Sequence, residues 1–258
     1  MSTTDNRIAH FKRYLWAEPQ LTVVVGSGEA LERGWMDYVQ EHSVDEDAPE
    51  AAPQIPRLIV GAALALVSSP TRESWGWTLT LKDEPYGFFC GAEPEGMLCA
   101  STRKADAANA AMSLQRQVTP QSILRQSNYT PQQSDPLSAI EDYFRFAEQI
   151  VTRMGCDARG RAALFQSLPG GDFSQIRPLS EDELVELAWS LESAGALKRL
   201  DEMILFYACR CNDEAILNML TSLPDESRKE LWGDEKKLKI DCPRCSRTYV
   251  VERHHQLN

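Results

Sequence analysis

The amino-acid sequence predicts an α+β protein with three parts: an N-terminal mixed α/β core domain, a helical linker and a small C-terminal four-cysteine zinc module. Short strand patterns are interspersed with helical patterns through residues 1–172, and two helical patterns follow in residues 173–208. Residues 209–258 contain two close pairs of cysteines and are too few to bury a stabilising core. These observations place the predicted domain boundaries after residues 172 and 208.

The N-terminal core is predicted to begin with a strand, a turn and a helix. Residues 21–25 are rich in β-branched side chains, and the Gly-Ser-Gly after them leads into an amphipathic stretch at residues 29–39. Residues 58–68 are apolar and rich in alanine, which favours a buried helix over a buried strand. Three further strands are predicted at residues 75–81, 87–90 and 97–101.

The rest of the core and the linker are predicted to be mainly helical. An amphipathic stripe predicts a helix over residues 140–154, and an apolar run before Pro-Gly-Gly predicts a strand over residues 162–168. In the linker, Ser180 and Glu183 have the spacing of a capping box, which indicates the start of a helix. A second helical pattern covers residues 197–206.

The charge and composition of the chain disfavour nucleic-acid and membrane partners. Of 258 residues, 43% are apolar and 25% charged, which is typical of folded domains, and the formal net charge is -11. No segment is strongly basic, whereas phosphate backbones and anionic lipids require a basic surface. The N-terminus lacks a signal-peptide pattern, and the longest apolar run, residues 58–67, is too short to cross a bilayer. We therefore expect a cytoplasmic protein.

Four cysteines near the C-terminus have the spacing of a zinc site. Cys209 and Cys211 flank one arginine, and thirty residues later Cys242 and Cys245 flank a proline and an arginine. Thiolates are the softest ligands in proteins, and structural zinc favours four such ligands in a tetrahedron. The surrounding sequence predicts a frame for the site: a helix over residues 214–223, a helix from Pro224, and a hairpin of residues 238–240 and 248–251.

Other cysteines and histidines leave alternatives open. His254 and His255 are substitute zinc ligands, although a polar tail explains them better, and lone buried thiols are the alternative explanation of the four cysteines. Cys90, Cys99 and Cys156 have no partner at metal-binding spacing and are expected to be ordinary small core residues. The hairpin predicted around Cys90 and Cys99 also allows these two side chains to face each other.

Several segments of the second half together resemble a known family. Residues 206–214 read Phe-Tyr-Ala-Cys-Arg-Cys-Asn-Asp-Glu, residues 223–224 are Leu-Pro before an acidic helix, and residues 240–245 read Ile-Asp-Cys-Pro-Arg-Cys. Residues 142–150 and 164–171 resemble a central helix and the end of a core domain. From about residue 137 onwards the pattern is similar to that of the redox-regulated bacterial heat-shock holdases, the 33 kDa chaperonin family. The N-terminal half diverges from it.

The resemblance implies an ATP-independent molecular chaperone. In that family, zinc on the four cysteines keeps the reduced protein inactive, and oxidation releases the zinc and unfolds the C-terminal part. Carried over to this sequence, the oxidised protein pairs Cys209 with Cys211 and Cys242 with Cys245. Unfolded or misfolded clients are then held under oxidative stress, and a homodimer accompanies activation.

Three other functions stay open at the level of sequence. A zinc-stabilised protein-binding module without redox switching would use the same four ligands. A zinc-ribbon nucleic-acid binder is disfavoured by the acidic chain. An enzyme is disfavoured because four cysteine ligands leave no open zinc position for water, and no catalytic residues are predicted.

Overall fold

The computed structural model describes residues 7–44, 49–105, 110–119 and 121–253. These residues form a ten-stranded sheet, a separate two-stranded sheet and six α-helices. The strands are β1 (Ile8–Trp16), β2 (Leu21–Ser27), β3 (Ser74–Thr80), β4 (Tyr86–Ala92), β5 (Met97–Lys104), β6 (Ala111–Gln117), β7 (Arg125–Tyr129), β8 (Thr152–Cys156), β9 (Arg161–Ser167), β10 (Lys198–Tyr207), β11 (Lys237–Asp241) and β12 (Thr248–Glu252). The helices are α1 (Glu29–Glu41), α2 (Ile55–Ser68), α3 (Pro136–Phe146), α4 (Glu181–Ser193), α5 (Asp213–Ser222) and α6 (Asp225–Trp232).

The large sheet is mostly antiparallel and takes one of its strands from the predicted linker. Its strand order is β7-β6-β3-β4-β5-β10-β1-β2-β9-β8. β10 pairs antiparallel with β1 and parallel with β5, where Phe206 lies opposite Met97 and Tyr207 opposite Leu98. β11 and β12 form the small C-terminal hairpin. The α+β class and the separate cysteine-bearing module are thereby confirmed.

Helix α2 lies in the centre of the hydrophobic core. Twelve of its fourteen residues are buried, and it packs against α3 and against strands β2, β4 and β5. With the 3-10 helix before it, the helical stretch Pro49–Ser68 has the length and apolarity of a membrane span, with a mean hydropathy of 1.4, but 72% of that apolar window is buried inside the fold. The core of a globular domain buries such a helix in the same way, and the buried helix predicted over residues 58–68 is confirmed.

The helix predicted over residues 140–154 is wrong at both ends. α3 begins at Pro136, because the Asp135 side chain caps the helix N-terminus and proline fits the first helical position. The helix ends at Phe146, and the left-handed backbone of Gln149 (φ 58°) lies in the turn before β8. Beyond the helix, Ala147 and Val151 are exposed and Ile150 is half-buried, and the chain from Thr152 onwards pairs with β9.

The second helical pattern predicted in the linker, residues 197–206, is also wrong, because this segment is strand β10. Met203, Leu205 and Tyr207 are buried, whereas Ile204 between them is half exposed. This period of two puts the buried side chains on one face of the sheet. The backbone N–H and C=O groups of β10 find hydrogen-bond partners in the neighbouring strands β1 and β5, so they do not need the partners that a helix would provide.

The first linker helix, α4, agrees with its prediction. Both hydrogen bonds of the capping box are present: Ser180 Oγ accepts from the Glu183 N–H, and the Glu183 carboxylate accepts from the Ser180 N–H. Leu184, Val185 and Ala188 form the buried stripe of the helix and pack with apolar residues of β2 and β9. Thus α4 covers one face of the large sheet with an apolar surface.

Gly96 allows β10 to pass closely over the turn between β4 and β5. Its φ is +97°, and a Cβ added there would lie 1.9 Å from the carbonyl oxygen of Ile204. Its own carbonyl accepts a hydrogen bond from the Phe206 N–H at 2.9 Å. Only glycine adopts this backbone conformation without cost and leaves the necessary space.

Candidate metal centre

The four cysteines of the predicted zinc motif come together between the two sheets. Cys209 and Cys211 directly follow β10, and Cys242 and Cys245 lie on the turn that joins β11 to β12. In that turn, the Ser246 N–H donates to the Cys242 carbonyl at 2.9 Å. This bond folds the backbone tightly and turns the two thiols of Cys-x-x-Cys to the same side.

The four Sγ atoms all lie within 4.8 Å of one another. The distance is 3.4 Å between the sulfurs of Cys211 and Cys245 and 4.0 Å between those of Cys209 and Cys242. Two of the cysteines are buried and two are half-buried. The four thiols are therefore close enough together to bind one metal ion.

Two tyrosines from different parts of the chain contact the sulfurs. Tyr249 Oη donates a hydrogen bond to Cys211 Sγ at 3.1 Å. Tyr38 Oη, on helix α1, lies 3.2 Å from Cys245 Sγ and 3.8 Å from Cys211 Sγ. Burial, followed by the hydrogen bonds to sulfur, raises the pKa of both phenols, so that they remain donors.

The electrostatics of the cluster favour one negative sulfur and oppose four. Hydrogen bonds from Cys209, and then from Cys242 and Cys245, hold the pKa of Cys211 well below its usual range. The same network raises the pKa of Cys242 and Cys245. Four thiolates at this spacing repel one another strongly, and a bound cation reverses that penalty.

A buried carboxylate on the core contacts both cysteine motifs. Glu93, in the connection between β4 and β5, forms ion pairs with Arg244 of the Cys-Pro-Arg-Cys turn and, at 3.5 Å, with Arg210 between Cys209 and Cys211. The Arg244 guanidinium lies over the Phe89 ring, 5.5 Å from its centroid. These contacts join the metal centre to the large sheet.

The C-terminal module has a small apolar core of its own. The buried side chains of this core come from α5, α6 and β12: Ile216, Leu220, Trp232, Tyr249 and Val251. They pack in one cluster with Cys242 and Cys245. The predicted frame of two helices and a hairpin is confirmed by α5, α6, β11 and β12. The metal centre is thus continuous with the few apolar contacts that the module has.

The remaining predicted residues fall in different places. His254 and His255 lie outside the described residues. Cys156 is half-buried and remote from the cluster, on β8. Cys90 and Cys99 do not face each other, because the register of β4 and β5 pairs Cys90 with Ala100 and places Cys99 opposite Gly91.

Cys90 and Cys99 therefore point to opposite faces of the sheet. Cys90 belongs to the main core, where burial raises the pKa of its thiol to about 12, and Cys99 packs in the cluster of the metal centre. The sequence analysis missed Tyr38, Glu93 and Cys99 at this site. Nothing near them in the sequence points to a metal site, since only the fold brings them to it.

Comparisons with known proteins agree with this arrangement. The family model of the Hsp33 protein matches residues 117–252. A 33 kDa chaperonin of Cronobacter sakazakii is 28% identical over 157 residues, which cover 52% of this chain and 54% of the relative. A 33 kDa chaperonin of Shewanella frigidimarina is 27% identical over 132 residues, which cover 45% of this chain and 46% of the relative. The chain thus spans about half the length of these curated relatives.

Similarity of the fold extends over nearly the whole chain. The crystal structure of the 33 kDa chaperonin from Thermotoga maritima, a heat shock protein 33 homologue, superposes with a TM-score of 0.66 and covers 96% of each chain at 15% sequence identity. That identity supports the shared fold alone, whereas the match of the family model covers more than half of this sequence. The chain belongs to the Hsp33 family.

Proposed function

We propose that this protein is a redox-regulated, ATP-independent holdase that binds unfolded proteins under oxidative stress. The observation that carries the proposal is the four-thiol cluster of an Hsp33-family chain, seated on the core through Glu93. In this proposal, residues 1–172 are the client-binding core, residues 173–208 the linker and residues 209–258 the redox switch. The protein acts in the cytoplasm, where reducing conditions keep the thiols free until stress.

We further propose that the ion is zinc, held by Cys209, Cys211, Cys242 and Cys245. Zinc–thiolate bonds of about 2.3 Å in a tetrahedron separate the sulfurs by about 3.8 Å, and the distances of 3.4 and 4.0 Å bracket that value. Bound zinc supplies the charge that allows all four sulfurs to be thiolates. The activity is not catalytic, because four protein ligands leave no open position for a substrate.

Oxidation is expected to destabilise the module, because the folding free energy lost with zinc exceeds the folding free energy gained from the disulfides. Structural zinc contributes roughly 10–16 kcal/mol to the folding of a small domain. The disulfides implied by the family, Cys209–Cys211 and Cys242–Cys245, close loops of three and four residues and contribute only about 2 kcal/mol each in the chain-entropy model. The module has few apolar contacts with which to offset the difference, so the oxidised module is expected to unfold.

Loss of the module would leave apolar surface beside the linker available for clients. The stripe of α4 is packed on the β2 and β9 face of the sheet, and the linker leads directly into Cys209. If the linker detaches, both the stripe and the face it covers become exposed, and contiguous apolar surface binds unfolded chains. The partners are unfolded clients and a second copy of the oxidised chain, with no nucleic acid and no membrane.

Aggregation of a thermally unfolding client enzyme, followed by light scattering, tests the proposal. The oxidised protein is expected to suppress scattering, the reduced zinc-loaded protein is not, and a chromogenic chelator should report zinc release with the same time course. A variant with Cys242 and Cys245 changed to Ser should be active without oxidant, whereas Cys156→Ser, which is remote from the cluster, should behave as the unmodified protein. Equal scattering with the reduced and oxidised forms would contradict the proposal.

The same experiment separates the second candidate, a zinc-stabilised protein-binding module without redox switching. The apolar cluster around the four thiols favours this candidate, because its packing would add to the stability that the metal gives the module. A module of that kind would keep its zinc in the presence of peroxide and would bind its partner equally well in the reduced state.

A further inference from the structure

A fifth cysteine lies against the four-thiol cluster. Cys99 is in the middle of strand β5, is 1% exposed and packs in the same cluster as Cys242 and Cys245. The side chain of Cys209 packs against the same cluster. A Cβ added to Gly91 would lie 3.1 Å from Cys99 Sγ and 2.5 Å from Arg244 Nη2, so these two groups occupy the same small space.

The backbone also brings residues 99 and 209 together. β10 runs parallel to β5, and the Ala208 N–H donates to the Leu98 carbonyl at 2.8 Å. In this register Tyr207 lies opposite Leu98, so Ala208 follows opposite Cys99, and Cys209 is the next residue along the chain. Paired strands lie about 4.8 Å apart and rise about 3.3 Å per residue, which separates positions offset by one residue by about 6 Å, and disulfides join Cα atoms about 4.4–6.8 Å apart. A bond between Cys99 and Cys209 requires only a small movement of the backbone.

We propose that Cys99 is an additional redox thiol, which forms a disulfide with Cys209 when peroxide oxidises the metal centre. The proposal rests on the proposed function in one respect, that the cluster is open to oxidation. Cys209 is half-buried, whereas Cys99 is buried. Peroxide therefore meets Cys209 first, and Cys99 needs no access to solvent of its own.

The reaction balances with peroxide as the two-electron oxidant. The Cys209 thiolate attacks one peroxide oxygen and the O–O bond breaks, so that Cys209 becomes a sulfenic acid and the other oxygen leaves as hydroxide, which takes a proton from solvent and becomes water. Cys99 Sγ then attacks the Cys209 sulfur, so that the S–S bond forms and the S–O bond breaks. The departing hydroxide takes the proton of the Cys99 thiol and leaves as a second water. One thiolate and one thiol are oxidised to one disulfide, and one peroxide, with one proton from solvent, is reduced to two waters.

Once formed, this bond would stabilise the fold more than a bond within the Cys-x-Cys motif. A bond between Cys209 and Cys211 closes a loop of three residues, whereas a bond to Cys99 closes a loop of more than a hundred. Entropic stabilisation by a disulfide grows with the length of the loop, and short rings are strained. The long-range bond would also keep residue 209 attached to β5 after the rest of the module has unfolded.

Mapping of disulfides in the full-length zinc-loaded chain tests the proposal. The protein is treated with hydrogen peroxide, free thiols are alkylated, and the chain is cut with trypsin without reduction, under mildly acidic conditions that suppress disulfide exchange. Cleavage after Lys82, Arg103, Arg199 and Arg210 puts Cys99, Cys209 and Cys211 on three separate peptides: 83–103, 200–210 and 211–228. The expected product is peptide 83–103 joined to peptide 200–210.

Two variants identify which cysteine of peptide 83–103 is used. Cys99→Ala should abolish the product, and Cys90→Ala should retain it, because Cys90 lies on the same peptide but on the opposite face of the sheet. Both variants keep the four thiols of the metal centre and should bind zinc with unchanged stoichiometry. If peptide 200–210 joins only peptide 211–228 and Cys99 is recovered alkylated, the proposal is wrong.

Zinc release and client protection, measured on the same samples, separate this proposal from the proposed function. If the oxidised protein releases zinc and protects its client but Cys99 forms no disulfide, the role of Cys99 is overturned and the holdase proposal stands. The Cys99–Cys209 product without client protection would support the role of Cys99 and contradict the holdase. Retained zinc with all cysteines reduced would overturn both.

Discussion

Replacing Glu93 by Gln removes the carboxylate that both cysteine motifs contact, and its effect can be worked out from the ion pairs. The Glu93 side chain is 7% exposed and that of Arg244 is 21% exposed, so this pair is largely buried. Removal of one partner of a buried pair costs about 3–5 kcal/mol, and the amide oxygen of Gln, which still accepts a hydrogen bond, places the loss at the lower end. Arg210 is 62% exposed, and its pair adds at most about 1 kcal/mol.

A loss of about 3 kcal/mol corresponds to a change of roughly a hundredfold in the ratio of seated to detached module. Cys99 reports this ratio, because it is 1% exposed beneath the module. In the reduced zinc-loaded protein, the alkylation rate of Cys99, measured by mass spectrometry of the tryptic peptide, should rise about a hundredfold in Glu93→Gln relative to the unmodified protein.

Glu95→Gln is the matched control, because Glu95 is exposed and lies two residues further along the same turn. Its Cys99 alkylation rate should equal that of the unmodified protein, and Cys90 on the same peptide should stay unreactive in all three. If Glu93→Gln leaves the rate of Cys99 within about twofold of the control, the carboxylate does not hold the module on the core, and the reasoning from burial fails.

Three further predictions concern the metal, the pH and the backbone. Chelation of zinc from the reduced chain should remove hydrogen-exchange protection from residues 209–253 and leave the large sheet protected, because the metal supplies roughly 10–16 kcal/mol to the module alone. Burial acts to raise the pKa of Asp135, but hydrogen bonds from Arg57 outweigh burial and lower that pKa. The ionised carboxylate therefore stabilises the fold above about pH 4. This stabilisation is lost as the pH falls through the pKa of Asp135 in the folded state. Asp135→Ala should lower the free energy of unfolding at neutral pH by about 1–2 kcal/mol and flatten the acid side of its pH profile in urea denaturation. Gly96→Ala should cost about 3 kcal/mol or more in the same assay, and Gly195→Ala, where a Cβ meets nothing within 4 Å, only about 1 kcal/mol.

Local patterns predicted the elements whose stability is local. The capping box of Ser180 and Glu183, the alanine-rich core helix α2 and the hairpin around Cys242 and Cys245 all agree with the structure. Each is determined by side chains within a few residues of one another, so the signal is contained in a short window. The prediction of the four cysteines as one cluster also succeeded, since two pairs of thiols at short spacing are typical of metal sites.

The errors occur where distant parts of the chain decide the outcome. Residues 197–206 have apolar residues at helical spacing, but pairing with both β1 and β5 makes the segment a strand. Glu93 and Arg244 are 151 residues apart, and no pattern near Glu93 distinguishes it from any acidic residue in a turn. The role of Cys99 depends on the register of β4 and β5, since a shift of one residue would place it on the opposite face of the sheet.

The position of β10 gives the large sheet a seam. β10 joins the half formed by β1, β2, β9 and β8 to the half formed by β5, β4, β3, β6 and β7. Eight residue pairs connect it to β1, but only two connect it to β5, so the sheet is expected to part between β10 and β5. Separation there would leave unpaired N–H and C=O groups along two strand edges, and such edges accept extended peptides as added strands. The first thiol of the metal centre lies two residues beyond the end of that seam.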